Sequence, residues 1–96
     1  MKRKPDYRFR LYVARGTSNS VQALANLNAL CQEHLAGRHK IEVIDVFTQQ
    51  NRALEGEIRM TPTLIKLAPS PVKRMVGTLT QTPRVLQELD LDPSAT

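Results

Sequence analysis

The sequence predicts one α/β domain, with a mixed four-stranded sheet and helices on both faces. Apolar residues alternate with polar ones in the first segment, which is typical of a strand. In the next segment they recur every three or four residues, which is typical of a helix. This succession repeats, and two further strand-like segments precede a last helix, so the predicted order is β-α-β-α-β-β-α. The 96 residues fit a single domain, in which we expect residues 1–6 and 92–96 to be flexible tails.

The first strand is predicted from the alternation over residues 8–13, and the first helix follows it. Thr17 or Ser18 is placed to accept a hydrogen bond from the first turn of that helix. Gly37 is expected to close the helix in the left-handed conformation. One apolar stripe should face the core, and it consists of Val21, Leu24, Leu27, Cys31 and Leu35.

The second strand is a nearly continuous apolar run, as expected for a strand buried on both faces. Its apolar residues are Ile41, Val43, Ile44 and Val46. A weaker helix over residues 51–59 is anchored by Leu54 and Ile58 and interrupted by Gly56.

The third strand begins at Thr63, and the two prolines of residues 68–71 predict a turn. Residues 72–76 then form a returning antiparallel strand. Thr82 is suited to cap the last helix, with Pro83 at its first position. The buried side of that helix should be Val85, Leu86 and Leu89.

Thr61-Pro62 opens a strand after a β-α-β-α pattern, which is where thioredoxin-like folds place a cis proline. Pro62 is therefore the cis-proline candidate, and it should expose strand backbone for pairing with an extended partner. The segment in which a thioredoxin carries two cysteines, residues 15–20 here, has no sulfur. The sequence thus predicts a redox scaffold without its chemistry, whose function lies in what its surface binds.

The other residues that could be reactive, bind a metal or an anion, or act as acid or base are better explained by structural roles. Cys31 lies on the apolar stripe and is predicted to be a small buried hydrophobe. His34 and His39 lack partners at metal-site spacing, and Asp45 lacks a partner for acid–base work. Residues 15–18 could hold an anion before the helix, although a simple cap is favoured. We predict no catalysis, no metal and no cofactor.

The net charge of +5 comes from the first fifteen residues, which hold six basic residues and one acidic residue. Such a cluster could touch nucleic acid or an acidic protein. A solvated tail and strand edge is favoured, because no second strand interleaves aromatic and basic residues. No apolar run approaches the ~20 residues of a membrane span, and the N-terminus lacks a secretory signal. With a single cysteine, the cytoplasm is the expected location.

Motifs spread over residues 7–91 carry a resemblance to a known family. They are Leu11-Tyr12-Val13-Ala14, Thr17, Asn19-Ser20-Val21, Ala23-Leu24, Val43-Ile44-Asp45-Val46, Thr61-Pro62-Thr63-Leu64, Pro71-Val72-Lys73-Arg74, Gly77, Leu79, Val85-Leu86 and Leu89-Asp90-Leu91. Together they resemble the KaiB family of cyanobacterial circadian-clock proteins and their bacterial homologues.

The resemblance implies a non-catalytic protein with two folds. Family members switch between a tetrameric ground-state fold and a thioredoxin-like monomer, and in the ground state the last segment is a strand. Only the monomer binds the ring ATPase KaiC, after which it captures KaiA and displaces a clock histidine kinase. A KaiC-like ATPase is therefore the implied partner, with KaiA or the kinase as indirect partners.

The chain departs from the family pattern near its C-terminus. Glu88 stands where members commonly have glycine, and Gln87 replaces an apolar strand former. Both changes favour a helix there, since glycine costs a helix about 1 kcal/mol. Together with Tyr7 and Asp90, these residues are expected to set the balance between the folds. We predict that the switched, thioredoxin-like monomer is favoured over the homotetramer.

By the same resemblance, Lys66, Lys73, Arg74 and Glu57 are the candidate partner-binding residues. The three cations are expected to form a basic face on the third and fourth strands, or else a solvated edge that prevents aggregation. Glu57 stands in the second helix where members often have lysine. One alternative is a divergent paralogue that acts as a protein-binding adaptor outside the clock. A thioredoxin-class redox protein is a further alternative.

Overall fold

The computed structural model describes residues 6–89 and has the predicted element order. The elements are β1 (Tyr7–Val13), α1 (Ser18–His34), β2 (His39–Asp45), α2 (Gln50–Glu55), β3 (Thr63–Ala68), β4 (Lys73–Val76) and α3 (Thr82–Glu88). The strand order is β2-β1-β3-β4, with β1 parallel to β2 and β3 antiparallel to β1 and β4. Apart from Asp6, the two expected tails lie outside the described residues.

α1 and α3 cover one face of the sheet and enclose the main core. Its buried members are Phe9, Leu11, Val13, Ala23, Leu27, Leu30, Cys31, Leu35, Leu64, Leu79, Val85 and Leu89. The predicted stripe of α1 is wrong at Val21, which is 61% exposed. Ser20 is buried in the first turn instead, because its Oγ accepts the backbone N–H of Ala14 at 3.0 Å.

α2 lies on the opposite face, which confirms helices on both sides of the sheet. The smaller core there consists of buried Tyr12, Ile44 and Ile65, with Val46, Ile58 and Leu67 packed against it. α2 is shorter than the predicted helix and has no buried residue, and Leu54, its predicted anchor, is 76% exposed. Gly56 ends the helix, so Ile58 contributes its apolar contact from the following turn.

β2 is an edge strand, so the prediction that it is buried on both faces is wrong. Ile44 is fully buried, whereas Val43 is 42% exposed and Ile41 is half-buried. An apolar run gives no information on how many neighbours a strand has. That number follows from the pairing of distant segments, which places β1 and β3 in the middle of the sheet.

The helix ends differ in part from the prediction. Thr17 is the N-cap residue of α1, but its Oγ1 donates to the carbonyl oxygen of Ala14 at 2.7 Å instead of capping the helix. Thr82 is the first residue of α3 and not its cap. Gly37 follows α1 with φ of 74°, as predicted. The buried side of α3 is also confirmed, with Val85 and Leu89 buried and Leu86 half-buried.

Candidate functional site

The loop after β1, where a thioredoxin carries its cysteines, holds no thiol. Cys31 lies fully buried in α1, and burial raises the pKa of its thiol to about 11. Such a thiol has almost no thiolate at neutral pH and is a poor nucleophile. This environment agrees with the predicted role of Cys31 as a small core residue.

The Thr61–Pro62 peptide bond is cis, as predicted. The expectation that it exposes strand backbone is wrong, because β3 follows it directly and pairs with β1 and β4. Pro62 is buried, and its carbonyl oxygen accepts the N–H of Gly77 at 3.0 Å. Within residues 6–89, the outer edge of β4 has no neighbouring strand, so an extended partner would find its open backbone there.

The cations predicted to form one basic face lie on two faces of the sheet. The register pairs Lys66 with Lys73, on the side of the main core, whereas Arg74 pairs with Ile65 on the side of α2. Lys66 is 1% exposed, and its Nζ lies 6.0 Å from the centroid of the Tyr7 ring. The expectation of a shared basic face is therefore wrong, while the part of these residues in partner binding stays a prediction.

Arg74 reaches from β4 to the turn after α2. Its guanidinium donates to the carbonyl oxygen of Gly56 at 2.7 Å and to that of Glu57 at 3.3 Å. Glu57 was placed in the second helix from the sequence, but it lies beyond the helix end in a left-handed conformation, with φ of 55°. We call residues 56–60 the α2–β3 turn. Glu57, Arg59 and Met60 are its exposed side chains.

A groove of about 360 Å³ lies between β4 and α3. Arg74 and Arg84 contribute positive charge to its lining, and Glu88 contributes a carboxylate. Val76, also in the lining, is 51% exposed. The edge of β4, this groove and the α2–β3 turn together offer strand backbone, charge and apolar surface to a partner, and we call them the docking surface.

The residues predicted to set the fold balance lie at the two ends of the described chain. Gln87 and Glu88 are exposed in the last turn of α3, whereas Leu89 is fully buried. Asp90 lies outside the described residues. The side chains at positions 87 and 88 can therefore be changed without opening the main core.

Tyr7, the remaining member of that set, lies at the start of β1. Its ring stacks on Phe9 with the centroids 6.2 Å apart. The Arg38 guanidinium lies 5.8 Å from its centroid, so cations from two other segments, Arg38 and Lys66, approach this ring.

One charged cluster was missed from the sequence. The Glu42 carboxylate accepts from Arg10 Nε at 2.9 Å and from Arg52 Nη2 at 3.2 Å, which joins β2 to β1 and α2. The hydrogen bond from Arg10 is the main cause that lowers the pKa of the Glu42 carboxyl from its ordinary value. Burial opposes this effect, and the hydrogen bond from Arg52 adds to it. Only the parallel register that places Arg10 beside Glu42 could have indicated the cluster.

The other polar candidates have structural contacts. His39 Nδ1 lies 2.8 Å from the carbonyl oxygen of Leu35 at the end of α1. Asp45 Oδ1 accepts the N–H of Phe47 at 2.9 Å in the turn after β2. Within residues 6–89, no three His, Cys, Asp or Glu residues are grouped so that they could hold a metal ion. No helix in this range has the length and apolar character needed to span a membrane.

Comparison with known sequences matches most of the chain to one family. A model of the KaiB domain matches residues 10–91. The circadian clock protein KaiB3 of Synechocystis sp. is 44% identical over 84 residues, 88% of this chain and 82% of that protein. The circadian clock oscillator protein KaiB of Nostoc punctiforme is 42% identical over 91 residues, 95% of this chain and 88% of that protein.

Comparison with solved structures shows that the fold is thioredoxin-like. Chloroplastic thioredoxin z superposes with a TM-score of 0.73 at 18% identity, covering 93% of this chain and 82% of that one. The N-terminal domain of SasA from Synechococcus elongatus has a TM-score of 0.70 at 20% identity, covering 97% and 91%. At these identities the likeness concerns the fold alone.

Proposed function

The chain belongs to the KaiB family of clock proteins, and we propose that it is a non-catalytic protein that binds a KaiC-type ring ATPase. The observation that carries the proposal is the family match over residues 10–91 together with a helical segment at 82–88. In this family, the fold with a helix at the C-terminal end is the one that binds KaiC. KaiA or a clock histidine kinase would then be affected indirectly, in the cytoplasm.

The docking surface is the part of the molecule that we assign to the ring. Glu57 on the α2–β3 turn, together with Lys73 and Arg74 on β4, would lie at the contact. Lys66 is buried and would support this surface from below. The open strand edge supplies backbone donors and acceptors, and the surrounding charges supply specificity.

Binding of the purified chain to the KaiC-type rings of its host, with ATP or ADP, tests the proposal. Lys73→Glu should weaken binding about tenfold or more, because it reverses a charge at the contact. Lys40→Glu makes the same change on β2, at the opposite edge of the sheet, and should leave binding within about twofold. Absence of binding to every host ring would refute the proposal.

The same proposal includes a monomer in the thioredoxin-like fold at room temperature. Sedimentation should give the mass of one chain, and backbone NMR shifts should be helical over residues 82–88. A tetramer with strand-like shifts from residue 85 to residue 89 would contradict it.

An adaptor outside the clock is the second candidate, favoured by the exposed Glu57 at a position where family members often carry lysine. Glu57→Lys separates the two candidates. The ring-binding proposal expects a tighter complex, or at least an unchanged one. If the chain is an adaptor for a different, basic partner, wild type should not bind the rings. Glu57→Lys should then weaken the complex with that partner.

Redox function has less support, since Cys31 is fully buried with a raised thiol pKa. We expect no acceleration of insulin reduction by dithiothreitol in the presence of the chain. Turnover that disappeared in Cys31→Ser would overturn this expectation.

A further inference from the structure

The end of α2 leaves backbone groups that need partners. The last carbonyl oxygens of any helix have no N–H donor within the helix. α2 ends at Glu55 with Gly56 as its C-cap residue. The chain then turns through Glu57 with φ of 55°, a conformation that few residues other than glycine adopt without support. The α2–β3 turn therefore needs contacts from elsewhere in the fold to keep its shape.

Two strands supply those contacts. The guanidinium of Arg74, on β4, donates to the carbonyl oxygens of Gly56 and Glu57. A cation at a helix C-terminus is also favoured by the helix dipole. On β1, Tyr12 lies so close that a Cβ at residue 56 would be 2.7 Å from its hydroxyl oxygen. Gly56 is thus held between a buried ring and a guanidinium.

We propose that Arg74 is a positioning residue, which holds the α2–β3 turn in shape and ties that shape to the pairing of β4. Its two donated hydrogen bonds go to the protein's own backbone, so it fixes the shape of the part of the docking surface that the α2–β3 turn forms. Any effect of this restraint on binding to the ring ATPase rests on the proposed function. The restraint on the turn is a property of the chain alone.

Amide hydrogen exchange of the full chain, read residue by residue by NMR, tests the proposal. The amides to follow are those of Glu57 and Ile58, which donate to the carbonyl oxygens of Leu54 and Ala53, both at 3.0 Å. In Arg74→Ala they should exchange about threefold faster or more, since two supporting hydrogen bonds are lost. The amide of Leu27, inside α1, should not change.

Arg74→Lys and Lys40→Ala are the comparison variants. Lysine keeps the charge but cannot donate from a planar fork, so Arg74→Lys should fall between wild type and Arg74→Ala. It also keeps the test open if the alanine variant does not fold. Lys40→Ala removes an exposed cation from the far strand, and exchange in the turn should stay at the wild-type rate.

Several outcomes would overturn the proposal. Unchanged exchange at Glu57 and Ile58 in both Arg74 variants would show that the turn does not depend on this side chain. An equal increase at Leu27 would show a general loss of stability. Loss of ring binding in Arg74→Ala without faster exchange would show that Arg74 acts by direct contact with the ring alone and does not position the turn. If wild type binds no ring while the exchange result holds, the proposed function fails and the positioning role stands.

Discussion

The two faces of the sheet are stabilised in different ways. On the side of α1 and α3, twelve buried residues form a continuous apolar core. On the side of α2, the apolar cluster among residues 6–89 has three buried members, Tyr12, Ile44 and Ile65, and α2 contributes no buried side chain. Polar contacts hold α2 and its following turn, through Glu42 with Arg10 and Arg52, and through Arg74.

This difference concentrates the stability of the fold on the side of α1 and α3. Apolar burial provides about 25 cal/mol per Å² and does not depend on direction, so the main core can hold the domain together. Exposed ion pairs and hydrogen bonds contribute little each, although they fix orientation. The side held by polar contacts also carries the α2–β3 turn, whose exposed side chains, Glu57, Arg59 and Met60, can be changed at small cost to the fold.

The largest expected effect is in the main core. Leu27 is fully buried, whereas Val21 on the same helix is 61% exposed. Leu27→Ala should lower the free energy of unfolding by about 3 kcal/mol, since it leaves a cavity. Val21→Ala should change it by less than about 0.5 kcal/mol. Urea titrations with similar losses for the two variants would contradict the comparison.

Gly56→Ala tests the close approach of Tyr12 to the α2–β3 turn. The added Cβ would meet the hydroxyl oxygen of Tyr12 at 2.7 Å, and Tyr12 is 1% exposed, so its ring has little room to move. We expect a loss of about 1–3 kcal/mol in the free energy of unfolding. The same substitution in a Tyr12→Phe background should cost less, because the clashing oxygen is gone. Equal costs in both backgrounds would assign the loss to another contact.

A double substitution in α3 tests whether exposed residues set the balance between the two proposed folds. Gln87→Ile with Glu88→Gly should raise the population of the tetrameric ground-state fold about tenfold, because the helix loses ~1–2 kcal/mol of local preference. Both positions are exposed, so the main core stays intact in the starting fold. Sedimentation mass and NMR shifts over residues 82–88 report the change. An unchanged spectrum and mass would mean that these positions do not set the balance.

The smallest effect should come from the charged cluster. Glu42→Gln should lower the free energy of unfolding at neutral pH by less than about 1 kcal/mol, since the carboxylate is largely exposed. The pKa of Glu42 is lowered in the folded state, so this contribution is present above the ordinary carboxyl pKa, about 4.3. It is lost as pH falls through the folded-state value. Wild type and variant should therefore converge in acid and at high salt, and a gap that persisted there would exclude an electrostatic cause.

Local pattern was enough to predict the element order and much of the main core. The spacing of Leu27, Cys31 and Leu35 identifies the buried stripe of α1, because helical periodicity depends on neighbouring residues alone. Thr82-Pro83 predicted a helix start correct to one residue. The cis bond at Thr61-Pro62 was predicted from its place in a thioredoxin-like succession of elements.

Tertiary structure alone decided strand order and the positions of charged side chains. It placed β2 at an edge and exposed Val43, and it buried Lys66 on the side of the main core, near the Tyr7 ring. It also placed Arg74 on the opposite face, where its guanidinium donates to the carbonyl oxygen of Gly56. These outcomes depend on which distant segments pair and in which register, and a one-residue change of register moves every side chain to the other face. The composition of the strands was visible in the sequence, whereas the contacts of their charges required the assembled sheet.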